Sequence, residues 1–166
     1  DLYGLIMEVS YLPIFAKLPV PGVEEQLRRL EEGQKLYAAA GVTTVQEGAT
    51  HMPDLALLER GAKEGRLFLD VVSYPLFTEM DTLLKTHAPA TFGSYTDHLK
   101  IGGIKITIDG SPQGRTAFFT TPYLTGGPNG EKDWVGEPSF GQDVANALLK
   151  RIYDQGLRSE ERRVGK

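Results

Sequence analysis

The chain has 166 residues and a mass of 18.2 kDa, about one domain on the usual scale of roughly 100–200 residues. Its 40% hydrophobic and 24% charged residues fall in the globular range, which excludes a disordered or fibrous chain. A net charge of −4 with no basic stripe argues against a nucleic-acid partner, and the lack of cysteine removes disulfides, thiol nucleophiles and thiolate metal sites, so a metal would need His, carboxylate or modified Lys.

Leu2, Leu5, Ile6 and Val9 recur at helical spacing, which predicts a helix within Asp1–Phe15 that Pro13 stops. After the rigid connector Leu18-Pro19-Val20-Pro21-Gly22, the residues Val23, Leu27, Leu30 and Tyr37 mark one face of a second helix that Gly41 terminates. Val42–Gln46 is short and β-branched and reads as a strand. A helix over Pro53–Gly65 follows, and then the nearly continuous apolar run Leu67–Tyr74, a strand covered on both faces and ended by Pro75. Met80–Thr86 reads as a short helix and Leu99–Asp109 as the third strand. A long loop spans Gly110–Phe140, and a last helix carries Val144, Leu148 and Ile152 before Gly156. Helices alternating with strands through short connections predict that Val42–Gln46, Leu67–Tyr74 and Ile104–Asp109 are adjacent and parallel in an α/β architecture. No apolar run approaches the ~18–20 residues of a membrane span, so the chain reads as soluble and cytoplasmic. It starts at Asp1 rather than Met, as an internal fragment lacking its native N-terminus does.

Chemistry concentrates on the third strand. In Ile104-Lys105-Ile106-Thr107-Ile108-Asp109 isoleucine alternates with Lys, Thr and Asp, so one face is apolar and the other polar. On a surface sheet that polar face meets water and Lys105 carries no message. In a barrel it points inward, and an interior ammonium must be paired, shifted in pKa or chemically converted. The segment Asp109-Gly110-Ser111-Pro112-Gln113-Gly114-Arg115-Thr116-Ala117 leaves the carboxyl end of this strand, the end that holds the active site in α/β barrels.

Two blocks, Gly41-Val42-Thr43-Thr44-Val45-Gln46-Glu47-Gly48-Ala49 and Gly102-Gly103-Ile104-Lys105 through Asp109-Gly110-Ser111 to Arg115-Thr116-Ala117, resemble the second and fourth barrel strands of amidohydrolase family 3, the branch of the metal-dependent amidohydrolase superfamily that includes N-substituted formamide deformylase-like enzymes. The resemblance runs across Asp1–Gly156. It implies part of a (β/α)8 TIM barrel, about strands two to four with their helices, cut from an enzyme whose metal-activated water hydrolyses a non-peptide C–N bond. It further implies one or two divalent metals, zinc foremost, in the full-length protein and none in the fragment. Lys105, as an anionic carbamate, would be a metal ligand. Asp109 and Arg115 would be catalytic, Ser111, Gln113 and Arg115 would form the substrate loop, and the partner would be a small amide-type molecule. The family's other ligands, a His-x-His pair on the first strand, histidines on the fifth and sixth and an aspartate on the eighth, are absent from this sequence, so the fragment alone is expected to be inactive. The competing reading is an inactive truncated relic or an interaction module.

His51, His87 and His98 have no ligand-like spacing and read as surface or hydrogen-bonded groups. Glu47, at a strand end, reads first as a loop or capping residue. Tyr123, Trp134 and Gly126-Gly127-Pro128-Asn129-Gly130 read either as a substrate-covering loop or as plain turns. Residues 157–166 are charge-dense, lack strand periodicity and resemble translated adapter sequence, so the barrel portion is placed at 1–156 and the tail outside the fold.

Overall fold

A computed structural model describes residues 12–161. In chain order its helices and strands are α1 (Leu12–Phe15), α2 (Val23–Ala39), β1 (Thr44–Thr50), α3 (Met52–Lys63), β2 (Asp70–Pro75), α4 (Met80–Thr86), β3 (Leu99–Ile101), β4 (Ile104–Ile106), α5 (Gln142–Asp154) and β5 (Ser159–Glu161). The chain divides into two compact units. The larger holds residues 21–106 and 142–161, and the smaller holds 107–141 with the described start of the chain.

The first expected helix falls largely on residues 1–11, outside the described residues. Among the described residues Pro13 lies in the first turn of the short helix α1, where a proline loses no intrahelical hydrogen bond.

In the larger unit β1, β2 and β3 lie in that order and pair in parallel, as predicted for the first two strands, but the third member is Leu99–Ile101. The expected Ile104–Asp109 contributes only β4, which pairs with β5 in a second sheet and meets β2 through the isolated Leu76–Lys105 bridge. Leu58 and Ala62 of α3 pack against Leu67, Val71 and Leu99, with Leu30 of α2 and Val45 of β1 against the same cluster. Odd-numbered residues of β2 and β3 thus face the helices. Along β2, Val71, Ser73 and Pro75 are buried and the residues between them half-buried, so the expected double cover holds fully on one face only. Gln34, 3% exposed, joins α2 to the start of β2. Its Oε1 accepts from the Phe68 and Leu69 N–H groups at 2.8 and 3.2 Å, and its Nε2 donates to the Arg66 carbonyl at 3.0 Å. These groups precede the strand ladder and would otherwise be orphaned.

Both strands flanking β2 carry one extra residue at the level of Tyr74. On β1, Glu47 pairs with Ser73 and Thr50 with Pro75, so Gly48 and Ala49 oppose Tyr74 alone. This bulge turns Thr50 to the helix side, where Ser73 Oγ donates to Thr50 Oγ1 at 2.8 Å with both residues fully buried. On the other side Ile101 pairs with Ser73 and Lys105 with Leu76, so Gly102, Gly103 and Ile104 oppose Tyr74 and Pro75. The expected single strand Leu99–Asp109 is therefore two short ones, and Thr107–Asp109 leaves the ladder.

The charge-dense tail departs from its expectation over the residues described. Leu157 is 8% exposed and Ser159–Glu161 pairs in parallel with β4, Lys105 opposite Glu160. Pairing to a buried strand needs only backbone groups, which composition does not reveal.

In the smaller unit residues 107–141 hold no helix or strand beyond the isolated bridge Asp109–Pro138. Backbone bonds fold the segment on itself: Ser139 N–H to the Ile108 carbonyl at 2.8 Å, Phe119 N–H to Val135 at 2.7 Å, Tyr123 N–H to Trp134 at 2.9 Å and Gly127 N–H to Glu131 at 2.7 Å. Close approach sets its glycines. A Cβ on Gly110 would strike Thr116 Oγ1, and one on Gly136, at φ +83°, would strike the Ala117 carbonyl.

Candidate functional site

The sequence-predicted residues divide between the two units: Lys105 belongs to the larger, and Asp109, Ser111, Gln113 and Arg115 belong to the smaller.

Lys105 is 8% exposed, between the fully buried Ile104 and Ile106. Burial rules out the solvated surface lysine and leaves the interior one. Of the three escapes open to it, this structure shows pairing: Lys105 Nζ forms an ion pair with a carboxylate oxygen of Glu160 on β5. The pair is served by the bulge, because Lys105 lies opposite Leu76 and so takes the face of Val72 and Tyr74 rather than that of the helices.

The loop residues hold one another. Asp109 Oδ2 accepts from the Phe118 N–H at 3.0 Å, while Oδ1 is buried without a hydrogen-bond partner. Burial and the nearby Asp109 charge push the Tyr123 phenol above its ordinary pKa, and its hydroxyl donates to the Ala117 carbonyl at 2.8 Å. Ser111 closes the turn: its N–H donates to Thr116 Oγ1 at 2.9 Å and its Oγ accepts from the Gly114 N–H at 3.1 Å. Gln113 is exposed. Arg115 stands at φ +58°, the left-handed region costly for a residue with a Cβ. Its carbonyl accepts from Trp134 Nε1, and its Nη1 donates to the Gly126 carbonyl at 3.4 Å. Trp134 and Tyr123 are thus part of this loop's own frame.

Each histidine is bound to a carboxylate 28 residues away: His51 Nδ1 to Glu79 at 2.7 Å, His87 Nε2 to Glu59 at 2.5 Å and His98 Nδ1 to Asp70 at 2.8 Å. Only the last follows strand register, since β2 and β3 pair 28 residues apart and so set Asp70 opposite His98, whereas β1 and β2 pair Thr44 with Asp70, 26 residues apart. Motif spacing along one element does not reveal such pairs. Glu79 also accepts from the Met52 N–H at 2.6 Å, capping α3. Glu47 Oε1 accepts from the Ala49 N–H at 3.0 Å across the bulge within β1, so it is a strand residue rather than the loop or capping residue expected.

Among the described residues no group of three or more His, Asp or Glu side chains is placed to hold a metal ion. The described residues therefore do not by themselves fit a complete metal site; Lys105 would offer one ligand. No described helix is long and apolar enough to cross a membrane.

The fold is similar to those of two solved proteins, each described as an uncharacterized metal-dependent hydrolase. The one from Pyrococcus furiosus is 24% identical with a TM-score of 0.71 over 92% of this chain. The one from Pyrococcus horikoshii OT3 is 21% identical with a TM-score of 0.72 over 92%. This chain spans only 31% and 30% of their lengths. No curated protein matches it. The profile of the amidohydrolase family matches residues 1–160, a stretch containing every element described except the last residue of β5. With its parallel α/β sheet and its buried strand lysine, the chain belongs to the amidohydrolase family.

Proposed function

We propose that this chain is the part of a (β/α)8 barrel around strands two to four, from a hydrolase that cleaves a non-peptide C–N bond in a small amide, of the N-substituted formamide deformylase-like kind. The observation that carries the reading is Lys105: in a chain of this family, a lysine is buried on a short parallel strand just before the Asp109–Arg115 segment. A divalent metal, one or two zinc ions, supplies the Lewis acid and the activated water in the whole enzyme. Lys105, carboxylated on Nζ, is the one ligand this chain would contribute, and the remaining ligands belong to strands outside it.

The chain's own residues carry the rest of the proposal. Arg115 is held in a left-handed turn that fixes where its guanidinium starts, and a guanidinium with donors to spare clamps a substrate carbonyl or carboxylate. Asp109, with one oxygen fixed by the Phe118 N–H and the other free of partners, is the acceptor for a proton or a substrate N–H. Ser111 and Gln113 shape the loop between them. A carbamate on Lys105 would be anionic and would repel Glu160, so carboxylation requires that pair to separate.

The pair itself favours a second reading: a lysine satisfied by Glu160 needs no metal, as in an inactive relic or interaction module that keeps the scaffold. Substitution in the full-length protein separates the two. Lys105→Gln removes the anion and is expected to lose metal and activity, while Lys105→Glu restores an anion of similar reach and retains part of both. Full metal occupancy and normal turnover in Lys105→Gln would overturn the proposal and leave Lys105 a packing residue.

A further inference from the structure

The phase of the third strand is set by one residue. Leu99 and Ile101 face the helices, in line with Val71 and Ser73. In an uninterrupted strand Lys105, also odd-numbered, would face them too, inside the apolar cluster. Instead the pairing slips by one residue between Ile101–Ser73 and Lys105–Leu76, and the slip falls on Gly102 and Gly103. Gly102 still keeps the ordinary alternation: a Cβ there would lie 2.6 Å from Tyr74 Cζ and 2.8 Å from Val72 Cγ1, the side chains of the non-helix face, so the phase changes after it. Ile104 and Ile106 alternate with Lys105 along β4 and are fully buried.

We propose that Gly102–Gly103 is a positioning element of the active site, a glycine bulge whose extra residue turns Lys105 out of the helix-facing core and onto the reactive face. The proposal rests on reading Lys105 as the metal anchor. Glycine suits the position because the bulged backbone meets the Tyr74 ring on one side, where any larger residue would force the ring aside.

A role in phasing predicts that deletion is kinder than substitution. Removing Gly103 removes the extra residue, and the straightened strand still sets Lys105 opposite Leu76. Gly103→Val keeps the residue count but favours a regular strand, which would pair residue 105 with residue 77. A Cβ on Gly103 would strike the Arg158 carbonyl oxygen, so a need for space also predicts loss in Gly103→Val, and it is retention of the pairing on deletion that marks phasing. The chain has no cysteine, so Leu76→Cys with Lys105→Cys reports the pairing as the disulfide fraction after refolding of the full chain in a glutathione buffer. The expected result is a disulfide formed in most molecules with the native glycines, kept within about twofold on deletion of Gly103, and reduced about tenfold or more by Gly103→Val. If the valine variant does not refold, the deletion arm decides alone. Loss of the disulfide or of folding on deletion, or its retention in Gly103→Val, would overturn the proposal. The two readings fail separately: a strand phased as described in a full-length protein whose Lys105→Gln variant keeps its metal sinks the anchor, whereas metal loss with unchanged phasing in Gly103→Val sinks the bulge.

Discussion

In residues 21–106 and 142–161 order comes from apolar side chains gathered between helices and a parallel sheet, while in residues 107–141 it comes from backbone hydrogen bonds and glycines pressed against neighbouring chain. The first kind of order leaves a periodic trace in sequence, because a buried face must repeat every two or about 3.6 residues. The second leaves only turn residues, which announce a bend without saying what it packs against.

The contrast is sharpest in truncations of fully buried side chains. Leu55 of α3 is fully buried, and Leu55→Ala is expected to destabilise the larger unit by about 2–5 kcal/mol, measured by urea denaturation. An unchanged midpoint would mean that the core is looser than its packing. Gln34→Leu comes next. It keeps apolar bulk but strips the Phe68 and Leu69 N–H groups of their acceptor, for an expected loss of about 1–3 kcal/mol. A neutral result would show water replacing the amide.

The loop responds more weakly and in a different observable. Trp134→Phe removes the indole donor to the Arg115 carbonyl and is expected to cost about 0.5–1.5 kcal/mol. Its signature is faster amide exchange in residues 107–141 rather than a shifted global midpoint. Tyr123 supplies a pH test of the same frame. Its pKa is raised in the folded chain, so the neutral phenol contributes stability that is present below the ordinary tyrosine value of 10.0 and lost as pH rises past the folded value. Asp109→Asn removes the neighbouring charge and is expected to lower the Tyr123 midpoint in an absorbance titration; an unmoved midpoint would leave burial as the whole cause.

The smallest effect belongs to the surface of α2. Hydrogen bonds from Arg28 and then Arg29 hold the Glu25 carboxyl at about 2, so its favourable contribution is present above the usual carboxylate range and fades as pH falls toward that value. These groups are exposed, and Arg28→Ala is expected to raise the Glu25 midpoint in an NMR titration with no measurable change in unfolding.

Legibility in the sequence follows the same division. The helices α2 to α5 and the parallel order of the strands were readable from apolar spacing, with ends displaced: β1 begins at Thr44 rather than Val42 and runs on to Thr50. The burial of Lys105 was readable as one of two alternatives from its alternation with isoleucine. The route to it was not, because the alternation counts from Ile104 while the phase is decided two residues earlier, by a register slip that only strand pairing reveals. The histidine–carboxylate pairs escaped because each joins residues far apart in the sequence, which only the tertiary fold brings together. Strand β5 could not be found at all, since its residues carry charge where a buried strand carries apolar groups.

The account turns on what Lys105 becomes in the whole protein. The most direct measurement is the 13C NMR spectrum of the full-length, metal-loaded protein prepared in 13C-bicarbonate. We predict a single protein-bound carbamate carbon that is retained at neutral pH, lost on acidification together with the metal, and missing from Lys105→Arg. A fully metallated, active protein with no carbamate signal would contradict the account and return Lys105 to the role it has beside Glu160, a buried lysine satisfied by a carboxylate.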